Sequence, residues 1–305
     1  MLVACGSSSP DVSHVGMMPS PLIERRAENA TAPEIVVGSK DFTEEYVLAE
    51  VYARALRAAG YHVRTHLDIG DERDAYEVLT SGVVSAYPEY LGTALTSLYG
   101  VSAERVPRTV RAAYARVRAH AAEDGIVALA PTPFSDSNGF AVRPQTASRH
   151  RLRSLSDLAR AAPSLTLSGA PECARRLDCL KGLRAAYGAS FKRFLPIDIA
   201  DRYRTLASGR SDVTVAFTTD GQIKTDGLVL LRDDRHMLPP DNVTLLVRSA
   251  VARAAGPGLA RVVALVQRGL TTATMQELNS RVDIDGQSPG AVAAEYLREN
   301  GYVRG

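Results

Sequence analysis

From Glu34 onward, short apolar runs alternate with amphipathic stretches, the rhythm of an α/β chain built on mostly parallel sheets. Ile35-Val36-Val37 predicts a buried strand. Thr43 stands where a helix N-cap belongs, with Glu44 and Glu45 in the first turn, where carboxylates complement the helix dipole. The apolar stripe Val47, Leu48, Val51 and Leu56 follows, and Gly60 ends the helix. Residues 61–67 alternate as a strand, and 73–80 predict a helix. Residues 83–87 predict a short strand feeding a turn at Tyr87-Pro88-Glu89-Tyr90. A long helix is expected over 103–122 and a strand over 126–130.

The rhythm restarts around Pro144. Residues 139–143 predict a strand, 154–161 a helix, 165–168 a strand, 180–187 and 201–208 helices, and 213–217 a strand. Pro239-Pro240 interrupts, 243–247 reads as a strand, and three helices close the chain near Asn300, the last opening on Ser288-Pro289 as N-cap and first helical residue. No repeat of fixed period occurs. At 305 residues, two lobes suit the chain better than one core. The simplest organisation joins them by two crossings, near Arg143 and near Asn242. Residues 34–142 and 243–305 then form lobe 1, and 143–242 form lobe 2.

Charge and composition narrow the partners. The 36 basic and 34 acidic residues are interspersed, giving a net charge of +2, so no nucleic-acid partner is expected. No apolar run approaches the ~18 residues of a membrane span. Lysine occurs only at Lys40, Lys181, Lys192 and Lys224, so Lys40, beside a predicted helix start, stands out.

Two segments carry candidate chemistry. Gly38-Ser39-Lys40-Asp41-Phe42-Thr43-Glu44-Glu45 puts a lysine and a hydroxyl at a helix start, suited to an anion. Tyr87-Pro88-Glu89-Tyr90-Leu91-Gly92-Thr93 puts exposed aromatics and a hydroxyl on a proline-stiffened turn, suited to a soft cation. A zwitterion would satisfy both. An α/β enzyme has little support: His62, His66, His120, His150 and His236 are scattered. No Gly-x-Ser-x-Gly elbow, P-loop or Gly-x-Gly-x-x-Gly turn occurs, and nothing calls for a cofactor or metal.

With Ala216-Phe217-Thr218-Thr219-Asp220-Gly221 and Pro240-Asp241-Asn242-Val243 in the same order, the chain resembles the substrate-binding proteins of osmoprotectant ABC importers, which take up glycine betaine, choline, carnitine and proline. The resemblance runs from about Glu34 to the C-terminus. It implies a type II two-lobe clamshell of the periplasmic-binding-protein kind. The protein would be a monomer with no catalytic activity, a small-molecule solute as cargo and an ABC permease in the membrane as partner. By motif position it implies that Lys40, Tyr90, Thr93, Asp136, Asn138, Arg176, Tyr203 and Phe217 bind the ligand. Tyr90 and Tyr203 would cage the cation and Arg176 would hold a carboxylate. Phe217 falls where the family commonly has tyrosine and keeps a π-face. Asn138, at a usual tyrosine site, supplies no ring. Each missing wall costs about 0.5–2 kcal/mol for a quaternary ammonium, and the chain has no tryptophan to fill in. The alternative cargo is a neutral polyhydroxylated or aromatic compound bonded to Asn138, Asp136 and Thr93.

Leu2-Val3-Ala4-Cys5 resembles a bacterial lipobox, which implies export and a lipid on Cys5 holding the protein at the outer face of the cytoplasmic membrane. Residues 1–33 then read as a signal remnant and flexible tether. In an exported protein, Cys173 and Cys179 predict a disulfide over a metal site, because no second Cys or His cluster completes a tetrahedral set. The bridge would pin the loop carrying Arg175 and Arg176.

Overall fold

The structure, a computed structural model, describes residues 22–304. Cys5 and most of the expected tether lie outside the described residues. Residues 22–33 are packed against the body instead of forming a tether. Ile23 is 8% exposed within the core and its N–H donates to the Tyr302 carbonyl at 2.8 Å. The Asn29 amide donates to the Ala59 carbonyl at 2.7 Å. One buried aliphatic side chain and one satisfied amide dock a segment that composition alone marks as loose.

Among the described residues, ten strands form two sheets. The first contains β1 (Ile35–Gly38), β2 (Val63–His66), β3 (Ala86–Tyr90), β4 (Ile126–Ala128) and β10 (Val243–Arg248), in the order β2-β1-β3-β10-β4. The second contains β5 (Asn138–Val142), β6 (Thr166–Gly169), β7 (Arg193–Pro196), β8 (Val213–Phe217) and β9 (Val229–Leu230), in the order β7-β6-β8-β5-β9. In each sheet one strand runs against the rest: β10 is antiparallel to β3 and β4, and β5 to β8 and β9. Each of these follows directly on a crossing between the sheets. Helices cover both faces, as side-chain alternation requires. Ile35 and Val37 join one core with Val47, Leu48 and Met275, while Val36 joins another with Leu79 and Leu246. The result is a two-lobe clamshell.

Several elements differ from expectation. The strand 138–142 pairs along its whole length with β8, so the first crossing is 129–137 and this strand belongs with the second sheet. Pro144 misleads here, because it opens the helix Pro144–His150 as its first residue and marks no boundary. The Tyr-Pro-Glu-Tyr segment is strand β3 with Tyr87, Glu89 and Tyr90 buried, not an exposed turn. Pro88 is tolerated because it lies past Val37–Ala86, the one rung that joins β3 to β1. Pro107 keeps the long helix from starting at 103; it runs Val110–Glu123, capped by the Thr109 hydroxyl. Thr43 does not cap its helix. Phe42 holds the extended N-cap position, and the Thr43 hydroxyl donates to Asp283 at 2.6 Å. Four helices, not three, close the chain, since Gly256 (φ 68°) divides Ser249–Ala255 from Pro257–Gln267. No single helix of the described residues is long and apolar enough to cross a membrane.

The crossings, 129–137 and 231–242, run side by side. The Asn242 amide donates to the Thr132 and Phe134 carbonyls at 3.0 and 2.8 Å, and the Asp241 N–H donates to the Ser135 hydroxyl at 2.9 Å. A second joint lies between helices Thr272–Asp283 and Gly221–Thr225. There, a Cβ on Gly221 would stand 2.6 Å from the Ser280 backbone, so only glycine permits the approach.

Candidate functional site

The carboxyl ends of β1, β3 and β8 and the start of β5 meet at a cleft of 290 Å³. This is where open α/β sheets bind ligands. Seven of the sequence-indicated residues line it: Lys40, Tyr90, Thr93, Asp136, Asn138, Arg176 and Phe217. Tyr203 does not. Its ring packs beside Ala141, Ala216 and Ile223, and its hydroxyl donates to Asp220.

Lys40 is placed for a different task from the expected one. It is 3% exposed, and its ammonium donates to Glu89 at 2.7 Å and stands 3.7 Å from Glu45. Burial opposes its charge, but Glu89 and Glu45 outweigh that and hold its pKa above the ordinary lysine value. Glu89 also accepts from the Tyr87 hydroxyl at 2.8 Å and the Tyr90 N–H at 2.7 Å. Glu45, buried beside Glu89 with only Lys40 to offset that, is pushed up to about 8. The Lys40 Nζ sits 4.4 Å from the centre of the Tyr90 ring and so serves as a floor for it.

On that floor, exposed aromatic surface faces the cleft from both lobes. Phe42, 39% exposed, tilts against Tyr90 with ring centres 6.0 Å apart, and Phe217, 41% exposed, comes from the second sheet. Phe42 supplies a wall that the sequence reading did not assign. The signal was its place between the end of β1 and the N-terminus of Thr43–Ala58, in an extended conformation that turns its side chain away from the helix core. Beside these rings lies a chamber of 370 Å³ lined by Glu44, Asp136, Asp220 and Asp283 with no lysine or arginine. The Glu44 carboxylate accepts from the Tyr90 hydroxyl at 2.8 Å and from Asn279 at 2.9 Å, yet burial still raises its pKa. Asp136 has one buried carboxylate oxygen with no partner. Burial, and then the charge of Glu44, push it well above the usual carboxylate range. A cation entering here would meet aromatic faces and, in Glu44 and Asp136, carboxyl groups with no basic partner among the described residues, whereas Asp220 is already paired with Arg202.

The second lobe fixes its own residues in pairs. The Arg176 Nε donates to the Asp178 carboxylate at 2.8 Å, and the Asn138 amide donates to the same carboxylate at 3.0 Å. Asn138 thus orients Asp178 and, through it, Arg176, where the expectation gave it a missing ring. Cys173 and Cys179 are bridged, closing the loop that carries Arg175 and Arg176. Arg202 pairs with Asp220 at 2.9 Å and lies 4.7 Å from the Tyr203 ring and 5.5 Å from that of Phe217, so the cation on Tyr203 is the protein's own. Asp241, in the return crossing, accepts from the Gly92 and Thr93 N–H groups at 2.6 and 3.2 Å, and burial brings it up to about 7.

Residues 33–299 match the model of the substrate-binding domain of the ABC-type glycine betaine transport system. The chain belongs to this family. The glycine-betaine-binding protein of Pseudomonas aeruginosa is 34% identical over 284 residues, covering 89% of each chain. The carnitine transport binding protein OpuCC of Listeria monocytogenes is 27% identical, covering 89% of this chain and 88% of its own. The apo structure of YehZ from Escherichia coli superimposes with a TM-score of 0.80 at 27% identity, over 88% of this chain and 99% of the other. Members of the family are substrate-binding components of importers and not enzymes. This chain is therefore an exported solute-binding protein that works with a membrane permease.

Proposed function

We propose that the interlobe cleft binds a quaternary-ammonium or zwitterionic compatible solute of the glycine betaine, choline, carnitine or proline type. The observation that carries this reading is the pairing of Phe42, Tyr90 and Phe217 with the unpartnered Asp136 oxygen at one end of the cleft. The rings recognise a soft cation and the carboxylates neutralise it. Arg176, held by Asp178, which also accepts from Asn138, is the donor for an anionic group. Lys40 and Thr93 shape the floor without touching the charge directly. Lobe 1 comprises the first sheet and its helices, lobe 2 the second, and closure bends the two crossings. We further propose that the protein acts as a monomer and is held at the membrane by a lipid on Cys5, the anchor being supported by the tetrapeptide Leu2-Val3-Ala4-Cys5.

Calorimetric titration with glycine betaine, choline, carnitine and proline tests the solute class. At least one should bind at micromolar level, and Phe42→Ala should weaken it about tenfold, as loss of a cation–π wall worth ~1–2 kcal/mol requires. No binding of any of the four at millimolar concentration rejects the reading.

A further inference from the structure

The cleft does not end at Arg176. It opens into a further chamber of 410 Å³, which shares Thr93, Arg176, Asp178 and Asp241 with the central cleft. The acidic chamber shares Phe42, Asp136 and Phe217 with the central cleft, but no lining residue with this one. The three spaces therefore follow one another along a groove, acidic and aromatic at one end and cationic at the other.

The far chamber is lined by Arg108, Arg175 and Lys181 in addition to Arg176. Arg176 is held by Asp178, and Asp241 by the Gly92 and Thr93 N–H groups. Among the described residues, Arg108, Arg175 and Lys181 have no carboxylate within ion-pair distance, and the one remaining acid on the wall, Glu104, pairs with none of them. Arg108 is instead aimed across the cleft, donating to the Met237 carbonyl. Arg175 is carried by the disulfide-closed loop and Lys181 by the helix Leu180–Tyr187 that follows it, so their backbones are fixed. Three positive groups converging on one concave space without counter-charges form a receptor for an anion.

We propose that this chamber is a second subsite, which takes an anionic group set several bonds away from the quaternary nitrogen. The inference rests on the cation site proposed above. Glycine betaine, with one methylene between its charges, reaches less of the groove than a trimethylammonium compound with a remote carboxylate or phosphate, whose anion extends from the rings toward the far chamber. Arg175 and Lys181 then set selectivity by ligand length.

The test titrates the full chain and the Arg175→Ala/Lys181→Ala double variant with glycine betaine, 4-trimethylammoniobutanoate and phosphocholine. Both substituted residues are exposed, and unchanged thermal unfolding verifies that the variant is folded. The unsubstituted chain should bind at least one remote-anion probe about tenfold tighter than glycine betaine, and the double variant should bring that ratio close to one. The carboxylate and phosphate probes tell which anion the chamber prefers. Glycine betaine binding at least as tightly as both, or a ratio that survives the double substitution, overturns the subsite and leaves the cation site standing. Failure of all three probes to bind overturns the cation site as well.

Discussion

In the proposed cation site, Asp136 and Glu44 should couple solute binding to protons. Both carboxyls are pushed toward the protonated state, chiefly by burial, and a bound ammonium pulls them back toward the ionised one. Binding should therefore release protons, and affinity for choline should fall as the pH is lowered. Calorimetry in buffers of different ionisation enthalpy reads the proton count directly, and Asp136→Asn should reduce it. A proton count of zero in the unsubstituted chain would remove these acids from the cation site. The sign for stability is opposite in the free protein. Glu45 ionises near 8 in the fold but near 4.5 when exposed, so the folded state holds the proton more tightly. Its contribution is fully present below about pH 4.5 and is lost as the pH rises toward 8. Lys40 marks the limit of reading single residues. Its role as an ion partner of Glu89 depends on β3 lying beside β1, which no local pattern around Gly38-Ser39-Lys40 reveals.

The loop between β6 and the helix Leu180–Tyr187 exposes Arg175 and Arg176, and the buried Cys173–Cys179 bridge closes a span of only six residues. Replacing both cysteines by serine should cost about 2 kcal/mol of stability by the loop-entropy estimate. It should also weaken solute binding about tenfold, because Arg176 would lose its fixed approach to Asp178. Thermal unfolding and titration of the double variant measure the two effects separately, and unaltered affinity would show that the bridge does not position the arginine. The elements themselves were largely legible. The runs at 35–37, 213–217 and 243–247 are legible as strands because burial on both faces of a helix-covered sheet leaves a short, nearly continuous apolar stretch in the sequence. Segments containing proline were not. Pro88 lies in a strand, Pro107 delays a helix and Pro144 starts one, and only the pairing around each decides which. The aromatic wall at Phe42 escaped for a related reason: a half-exposed phenylalanine beside a helix start reads as a packing residue until the opposite lobe is seen.

The two lobes are held in their present relation by the joint at Gly221 and Ser280. Asn279 spans this joint, donating to the Thr219 carbonyl at 3.0 Å and to Glu44 in the cation chamber at 2.9 Å. Gly221→Ala should force the backbones apart, at a cost of about 1–3 kcal/mol to the joint. The expected result is a larger radius of gyration by X-ray scattering and weaker solute binding. An unaltered scattering profile with unaltered affinity would mean that the joint does not govern closure. The fold class of the whole molecule followed from its α/β rhythm and its four motifs. The position of the first crossing did not, because β5 is assigned to its sheet by pairing with a strand some 75 residues later, as in Asn138 with Phe217.

The lacing of Asn242 and Asp241 onto 132–135 gives the crossings a mechanical character. Two separate linkers would let the lobes twist, slide and tilt independently, but a pair laced together where Asp241 and Asn242 meet 132–136 resists sliding and twisting at that point. Opening should then favour one bending coordinate, like the cover of a book on its spine. A membrane partner would need to sense only that one angle to know whether cargo is aboard.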